Sequence, residues 1–202
     1  MSAPKIAPVI TVESPFPVEE LPRVWLWIQE SPHALMNNLG PQTMEEFVDD
    51  WMERKAITWG VYRDGLLGGW VAFDLHTSNA HCVFKKGETR TESFFGHKTT
   101  IPALTQIATD LFAVGVPRIG MLVFRSNRAL QSLIKALGGE IEAIYFNPRT
   151  MTGETVLPNG NTEPEPMLQY GLYRNTFGTP QSQGLTYNEW LSREKNEHHQ
   201  AA

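Results

Sequence analysis

The chain has 202 residues, enough to bury a sizeable core in one domain. A hydrophobic content of 41%, a charged content of 19% and a net charge of −5 fit a soluble globular protein and give no electrostatic reason to expect a nucleic-acid partner. The single cysteine, Cys82, excludes an internal disulfide, no run approaches the ~20 apolar residues of a membrane span, and the start MSAPKIAPVITVESP lacks the pattern of a signal peptide, so the expected location is the cytoplasm.

Taken in order, residues 8–13 (PVITVE) read as a first strand. Residues 18–28 (VEELPRVWLWI) read as a helix interrupted near Pro22. Trp25 and Trp27 cannot share one helical face, so either both pack in the core or one lines a pocket or an interface. Residues 44–55 (MEEFVDDWMERK) form a helix opened by a capping box, Thr43 with Glu46, with Met44, Phe47, Val48 and Trp51 as the buried stripe. Three strands follow: 56–62 (AITWGVY), 66–75 (LLGGWVAFDL) and 80–84 (AHCVF). The Asp64-Gly65 turn joins the first two, and Gly68-Gly69 marks a bulge or a close approach.

Residues 85–95 lead to a loop at Gly96. A helix over about 100–114 carries Ile101, Leu104, Ile107, Ala108, Leu111 and Phe112 at helical spacing and stops at Gly115, Val116 and Pro117. The apolar run 119–124 is a strand buried on both faces. Asn127 caps a helix with Leu130, Leu133, Ile134 and Leu137, ending at Gly138-Gly139. Residues 141–146 and 167–173 are strands expected to pair across a polar surface excursion, 147–166. A short helix over 186–195 is expected in a polar tail. The order of elements gives an α+β layering: a mixed, mostly antiparallel sheet flanked by helices, with one domain over 1–175 and an extension over 176–202.

The stretch from Phe94 to Glu140 resembles the central half of a GNAT-type N-acetyltransferase, closest to the subgroup that acetylates ribosomal-protein N-termini. That subgroup shows W-G-x-G, a helix with an early Ala-Leu pair, a strand, then N-x-x-S and a helix ending L-G-F. The matching residues are Phe95-Gly96-His97-Lys98, Ala103-Leu104, Asn127 and Leu137-Gly138-Gly139. Lys98 replaces the second loop glycine, Leu130 the serine, and Gly139 the final aromatic.

The resemblance implies acetyl-CoA as co-substrate and a primary amine as acceptor. Gly96, His97, Lys98, Thr99 and Thr100 would meet the pyrophosphate, because a helix N-terminus offers free N–H groups and a favourable dipole to anions. The backbone of His81, Cys82, Val83 and Phe84 would bind the pantetheine arm on one side, with residues 121–124 on the other, and Asn127 would contact the cofactor or reaction centre. Trp25, Trp27 and the 147–166 loop would border the acceptor.

Amine acylation also needs a base and a donor for the leaving thiolate. His81 is the first base candidate, because it lies on the strand beside the expected thioester and histidine titrates near neutral pH. Asp74, His76 and Glu92 are further candidates. Many GNAT enzymes carry a tyrosine acid on the helix after the asparagine; none is present there, and Tyr145 on the next strand is the substitute considered. The chain lacks C-x-x-C, H-E-x-x-H, P-loop, G-x-S-x-G and dinucleotide motifs, so no metal is expected, and Cys82 reads as a buried structural thiol. The expected function is acetyl-CoA-dependent N-acetylation; the alternative is a GNAT-shaped binding or structural protein without catalysis, similar to divergent forms in bacteriophages.

Overall fold

The computed structural model describes residues 8–30, 41–87, 93–145, 154–156, 162–164 and 166–178. Seven strands form one mixed sheet: β1 (Ile10–Glu13), β2 (Ala56–Arg63), β3 (Leu66–Asp74), β4 (Asn79–Phe84), β5 (Arg118–Phe124), β6 (Glu140–Tyr145) and β9 (Met167–Tyr173). Their order is β1-β2-β3-β4-β5-β9-β6, and every neighbouring pair is antiparallel except β4 with β5. β7 (Glu154–Val156) and β8 (Thr162–Pro164) pair separately, inside the expected surface excursion. The helices are α1 (Leu21–Gln29), α2 (Met44–Glu53), α3 (His97–Ala113) and α4 (Arg128–Ala136).

Local chemistry explains most of these boundaries. Asp64 and Gly65 take positive φ angles of 53° and 78°, the conformation whose twist matches a two-residue β-hairpin. The β2–β3 register slips between Val61 and Tyr62, opposite Gly68, and a Cβ on Gly68 would run into the Phe94 ring. That glycine is therefore both a bulge and a close approach. Thr43 accepts a hydrogen bond from the Glu46 N–H at 3.1 Å, while the Glu46 carboxylate reaches back to the Gln42 N–H at 2.7 Å. Both α3 and α4 end in a left-handed glycine with the two reversed hydrogen bonds of a Schellman motif. Val116 and Gly115 donate to Leu111 and Phe112, and Gly139 and Gly138 donate to Ile134 and Lys135.

Several expectations need correction. Pro22 does not interrupt the first helix but sits in its first turn, where its missing N–H costs nothing, and a short 3₁₀ turn (Val18–Glu20) precedes it. Met44 is exposed, not part of the buried stripe, because it is the first helical residue and Phe47 and Trp51 already fill the contact. Helix α3 begins at His97, three residues before the expected start at about Thr100. Pro102 lies inside it, so the Lys98 carbonyl receives no N–H from that position. The predicted C-terminal helix and residues 179–202 lie outside the described residues.

The sheet separates two cores. Val71, Phe73, Ile119, Met121, Val123 and Tyr170 pack with α3 and α4. Trp70 and Ala72 pack with Val24, Trp27, Ile28, Phe47 and Trp51 of α1 and α2. Strand alternation extends this to β4, where His81 stands opposite Ala72 and Val83 opposite Trp70, on the α1/α2 face. Cys82 stands opposite Val71, and it packs with Phe84 against the other core.

Candidate active site

The parallel strands β4 and β5 are in register at one pair only, Asn79 with Gly120. There the Gly120 N–H donates to the Ser78 carbonyl at 2.8 Å. β5 then keeps seven consecutive pairs with β9 on its other edge, so it leaves β4. The result is a wedge in which the later residues of β4 have no strand partner on the β5 side. Backbone N–H and C=O groups on such an edge are strong ligand-binding groups.

A cavity of about 520 Å³ fills the wedge. His81, Cys82, Val83 and Phe84 of β4 form one wall, residues 121–124 of β5 the opposite wall, and Asn127 to Leu130 one end. Trp27, Ile28 and Trp70 close it on the α1/α2 side. Of the two tryptophans of α1, it is Trp27 that lines the cavity, while Trp25 packs on Phe47 with ring centroids 5.6 Å apart. Glu30, Lys86 and Arg128 are the charged residues of the lining. An apolar cleft with a few polar groups is the ordinary form of a small-molecule site.

The expected site residues fall into two groups. His81, Cys82, Val83, Phe84 and Asn127 come together in the cavity wall. Burial, and secondarily the Arg54 cation, lowers the His81 pKa below the usual histidine value against the opposing pull of Asp74 and Asp50, so the imidazole is a neutral base near pH 7. Burial pushes the Cys82 thiol up to about 12, which makes it inert as a nucleophile. Asn127 caps α4, its Oδ1 accepting from the Leu130 N–H at 3.1 Å.

The other residues stand apart. Among the described residues, the cavity lining includes Ser93 and Phe95 but not Gly96, Lys98, Thr99 or Thr100. Thr99 and Thr100 are buried, and the Thr100 hydroxyl is committed to the loop: it accepts from the Gly96 N–H at 2.9 Å and donates to the Phe94 carbonyl at 3.2 Å. The N–H groups of Thr99 and Thr100 both donate to the Gly96 carbonyl. Among the described residues, this leaves the N–H groups of His97 and Lys98 at this helix start for an anion. Gly96 itself is extended (φ 168°), and a Cβ there would meet no atom within 4 Å.

Tyr145 is exposed on β6, with β9 between it and β5, and it does not line the cavity. The Asp74 carboxylate is occupied by the N–H groups of His76 (2.7 Å) and Thr77 (3.2 Å); neither Asp74 nor His76 lines the cavity, and Glu92 lies outside the described residues.

Sequence reasoning passed over two contributors. Gln131, buried on α4, donates to the Phe124 carbonyl at 3.1 Å and the Arg125 carbonyl at 2.7 Å, and so fixes the turn that carries Asn127. Its signal was a polar residue within a helix one turn after an N-cap. Trp70 is the second: it is fully buried, lines the cavity, and its indole Nε1 has no hydrogen-bond partner among the described residues.

No protein-family model and no curated protein matches the chain. Solved structures do match. The ribosomal-protein-S18-alanine N-acetyltransferase of Escherichia coli aligns with a TM-score of 0.57 and 17% identity over 82% of this chain and 94% of that one. An N-acetyltransferase from Staphylococcus aureus aligns with a TM-score of 0.58 and 13% identity over 82% and 98%.

The chain has the GNAT fold. A ribosomal L7/L12 alpha-N-protein acetyltransferase solved in complex with coenzyme A shares this GNAT fold, with a TM-score of 0.57 and 10% identity over 81% of this chain and 93% of that one. Among the described residues of this GNAT fold, no group of three or more His, Cys, Asp or Glu side chains could hold a metal ion, and no helix is long and apolar enough to cross a membrane.

Proposed function

We propose that the chain is an acetyl-CoA-dependent N-acetyltransferase that acylates a primary amine of a protein or small molecule. The observation that carries this reading is the β4–β5 wedge, opened after a single register pair and filled by an apolar cavity. The residues suit an acyl-CoA. The unpaired edge of β4 offers backbone groups to an amide-bearing arm, the N–H groups of His97 and Lys98 suit a pyrophosphate, and the Lys98 side chain adds positive charge there. When bound, acetyl-CoA supplies an acyl group activated as a thioester.

The chain's own residues do the rest. His81, neutral and facing the α1/α2 side, takes a proton from the acceptor's ammonium, which frees the amine lone pair to attack the thioester carbonyl as the thiolate leaves. Trp27, Ile28 and Trp70 give the wedge an apolar wall on the α1/α2 side. None of the described tyrosines lines the cavity, and Tyr170, whose hydroxyl burial pushes up to about 12, sits in the opposite core. A thiol of pKa about 8.5 is an adequate leaving group, so the reaction does not depend on a phenolic acid.

The test is release of free thiol from acetyl-CoA with a panel of amines: peptides with a free α-amine, N-blocked lysine peptides, and polyamines. Turnover with at least one class is expected, and His81→Gln should lower kcat/KM by about 10²- to 10⁴-fold with unchanged circular dichroism. Absence of thiol release with every amine would sink the reading in favour of a non-catalytic GNAT-fold binding protein, and full turnover in His81→Gln would remove His81 as the base.

A further inference from the structure

Behind His81 lies an arrangement that the reaction above does not use. The Trp51 ring stands edge-on to the His81 imidazole, with centroids 5.4 Å apart and planes at 75°. The Arg54 guanidinium lies over the same indole, 4.9 Å from its centroid. Two carboxylates hold Arg54 in place: Asp50 one turn earlier on α2, at 2.9 Å from Nε and 2.8 Å from a terminal nitrogen, and Asp74 at the end of β3, at 3.4 Å. Asp74 is itself fixed by the N–H groups of His76 and Thr77. Trp70 closes the other side of Trp51 at 4.7 Å and 85°.

We propose that Arg54 is a positioning residue for His81: seated over Trp51 and tied to Asp50 and Asp74, it fixes the ring against which the imidazole packs and so holds the imidazole in the wedge. The proposal rests on His81 being the base. A cation over an indole face is attractive, and two carboxylates on different elements fix where that cation sits. His81 gains from the indole a packing partner but no hydrogen-bond acceptor, so its orientation depends on the indole staying in place.

The same arrangement sets the charge around the imidazole. Burial and Arg54 disfavour the imidazolium, whereas Asp74 and Asp50 favour it. Among the described residues, the charged groups that line the same cavity are Glu30 at the C-terminal end of α1, Lys86 after β4 and Arg128 of α4. In Arg54→Met the cation is lost and both carboxylates stay, so the His81 titration midpoint must move to higher pH. More of the base is then protonated at pH 6 than in the parent protein.

The experiment follows the His81 Cε1–H signal by NMR from pH 4.5 to 8.5, assigned by its absence in His81→Gln. Arg54→Met should titrate at higher pH than the parent protein. Arg54→Lys, which keeps the charge but not the planar stack, should fall between them. In the thiol-release assay, the ratio of kcat/KM at pH 6 to that at pH 8 should drop about threefold or more in Arg54→Met and recover in Arg54→Lys. A purely structural Arg54 would lower stability and leave both readouts unmoved. An unchanged His81 midpoint in folded Arg54→Met overturns the proposal. Should that variant not fold, Arg54→Gln, which also removes the cation, takes its place, and an unchanged midpoint there overturns the proposal equally. The titration needs no substrate, so a protein that transfers no acyl group would show its Arg54–His81 coupling all the same.

Discussion

His81 and Cys82 are neighbours on β4 that face opposite layers, and burial shifts their pKa values in opposite directions. A buried base is pushed down and a buried acid up, because burial disfavours whichever form is charged. Both side chains are thus neutral at pH 7, which suits His81 as a base and removes Cys82 as a nucleophile. With a thiol at about 12 against an ordinary value near 8.5, Cys82 in the folded chain should react with iodoacetamide on the order of 10³-fold more slowly than a free thiol at pH 7.5. The rate should keep rising up to pH 10 and become ordinary in denaturant. Fast labelling of the folded chain with a midpoint near pH 8.5 would contradict this. The placement of His81 was legible in the sequence, because alternation along AHCVF puts it on one face of a strand. Its environment was not, because Trp51, Arg54 and Asp74 come from positions 7 to 30 residues away in sequence.

Elements carry the site by their ends. Asn127 is presented by the N-terminus of α4 and Gly96 by that of α3. The α4 end is held by Gln131, whose side-chain amide bonds two carbonyls of the β5–α4 turn. Gln131→Leu would remove both side-chain amide hydrogen bonds to this turn, while the Phe124 carbonyl keeps the Asn127 N–H, at a cost of about 1–3 kcal/mol. Chemical denaturation should show a lower midpoint with unchanged slope. A midpoint equal to that of the parent would show that the turn does not depend on Gln131. The helix ends were largely legible, since the Thr43 capping box, the Asn127 cap and the terminal glycines are local signals. The start of α3 was not: its first turn, His97 to Thr100, is held by the Thr100 hydroxyl bridging Gly96 and Phe94 rather than by an apolar stripe.

At the scale of the whole molecule, the function proposed depends on where one sheet fails to close. The seven strands of the main sheet were legible from their apolar patterns, and so was the pairing of residues 141–146 with 167–173, seen as β6 with β9, whereas β7 and β8 within the polar excursion were not. Which edge β9 takes was not. It inserts between β5 and β6, separates Tyr145 from β5, and pairs along the whole of β5, which stays joined to β4 only at Asn79 and Gly120. Such long-range pairing is decided by the competing strand edges, and no local residue pattern states it.

The most direct measurement is a calorimetric titration of the chain with acetyl-CoA and with free coenzyme A. Both should bind saturably. Gly96→Trp should weaken both by about tenfold or more, because a Cβ there meets no protein atom within 4 Å and the added ring would compete for the open space before α3. Absence of binding to either ligand by the folded chain, or equal binding in Gly96→Trp, would contradict the wedge and the α3 N-terminus as an acyl-CoA site.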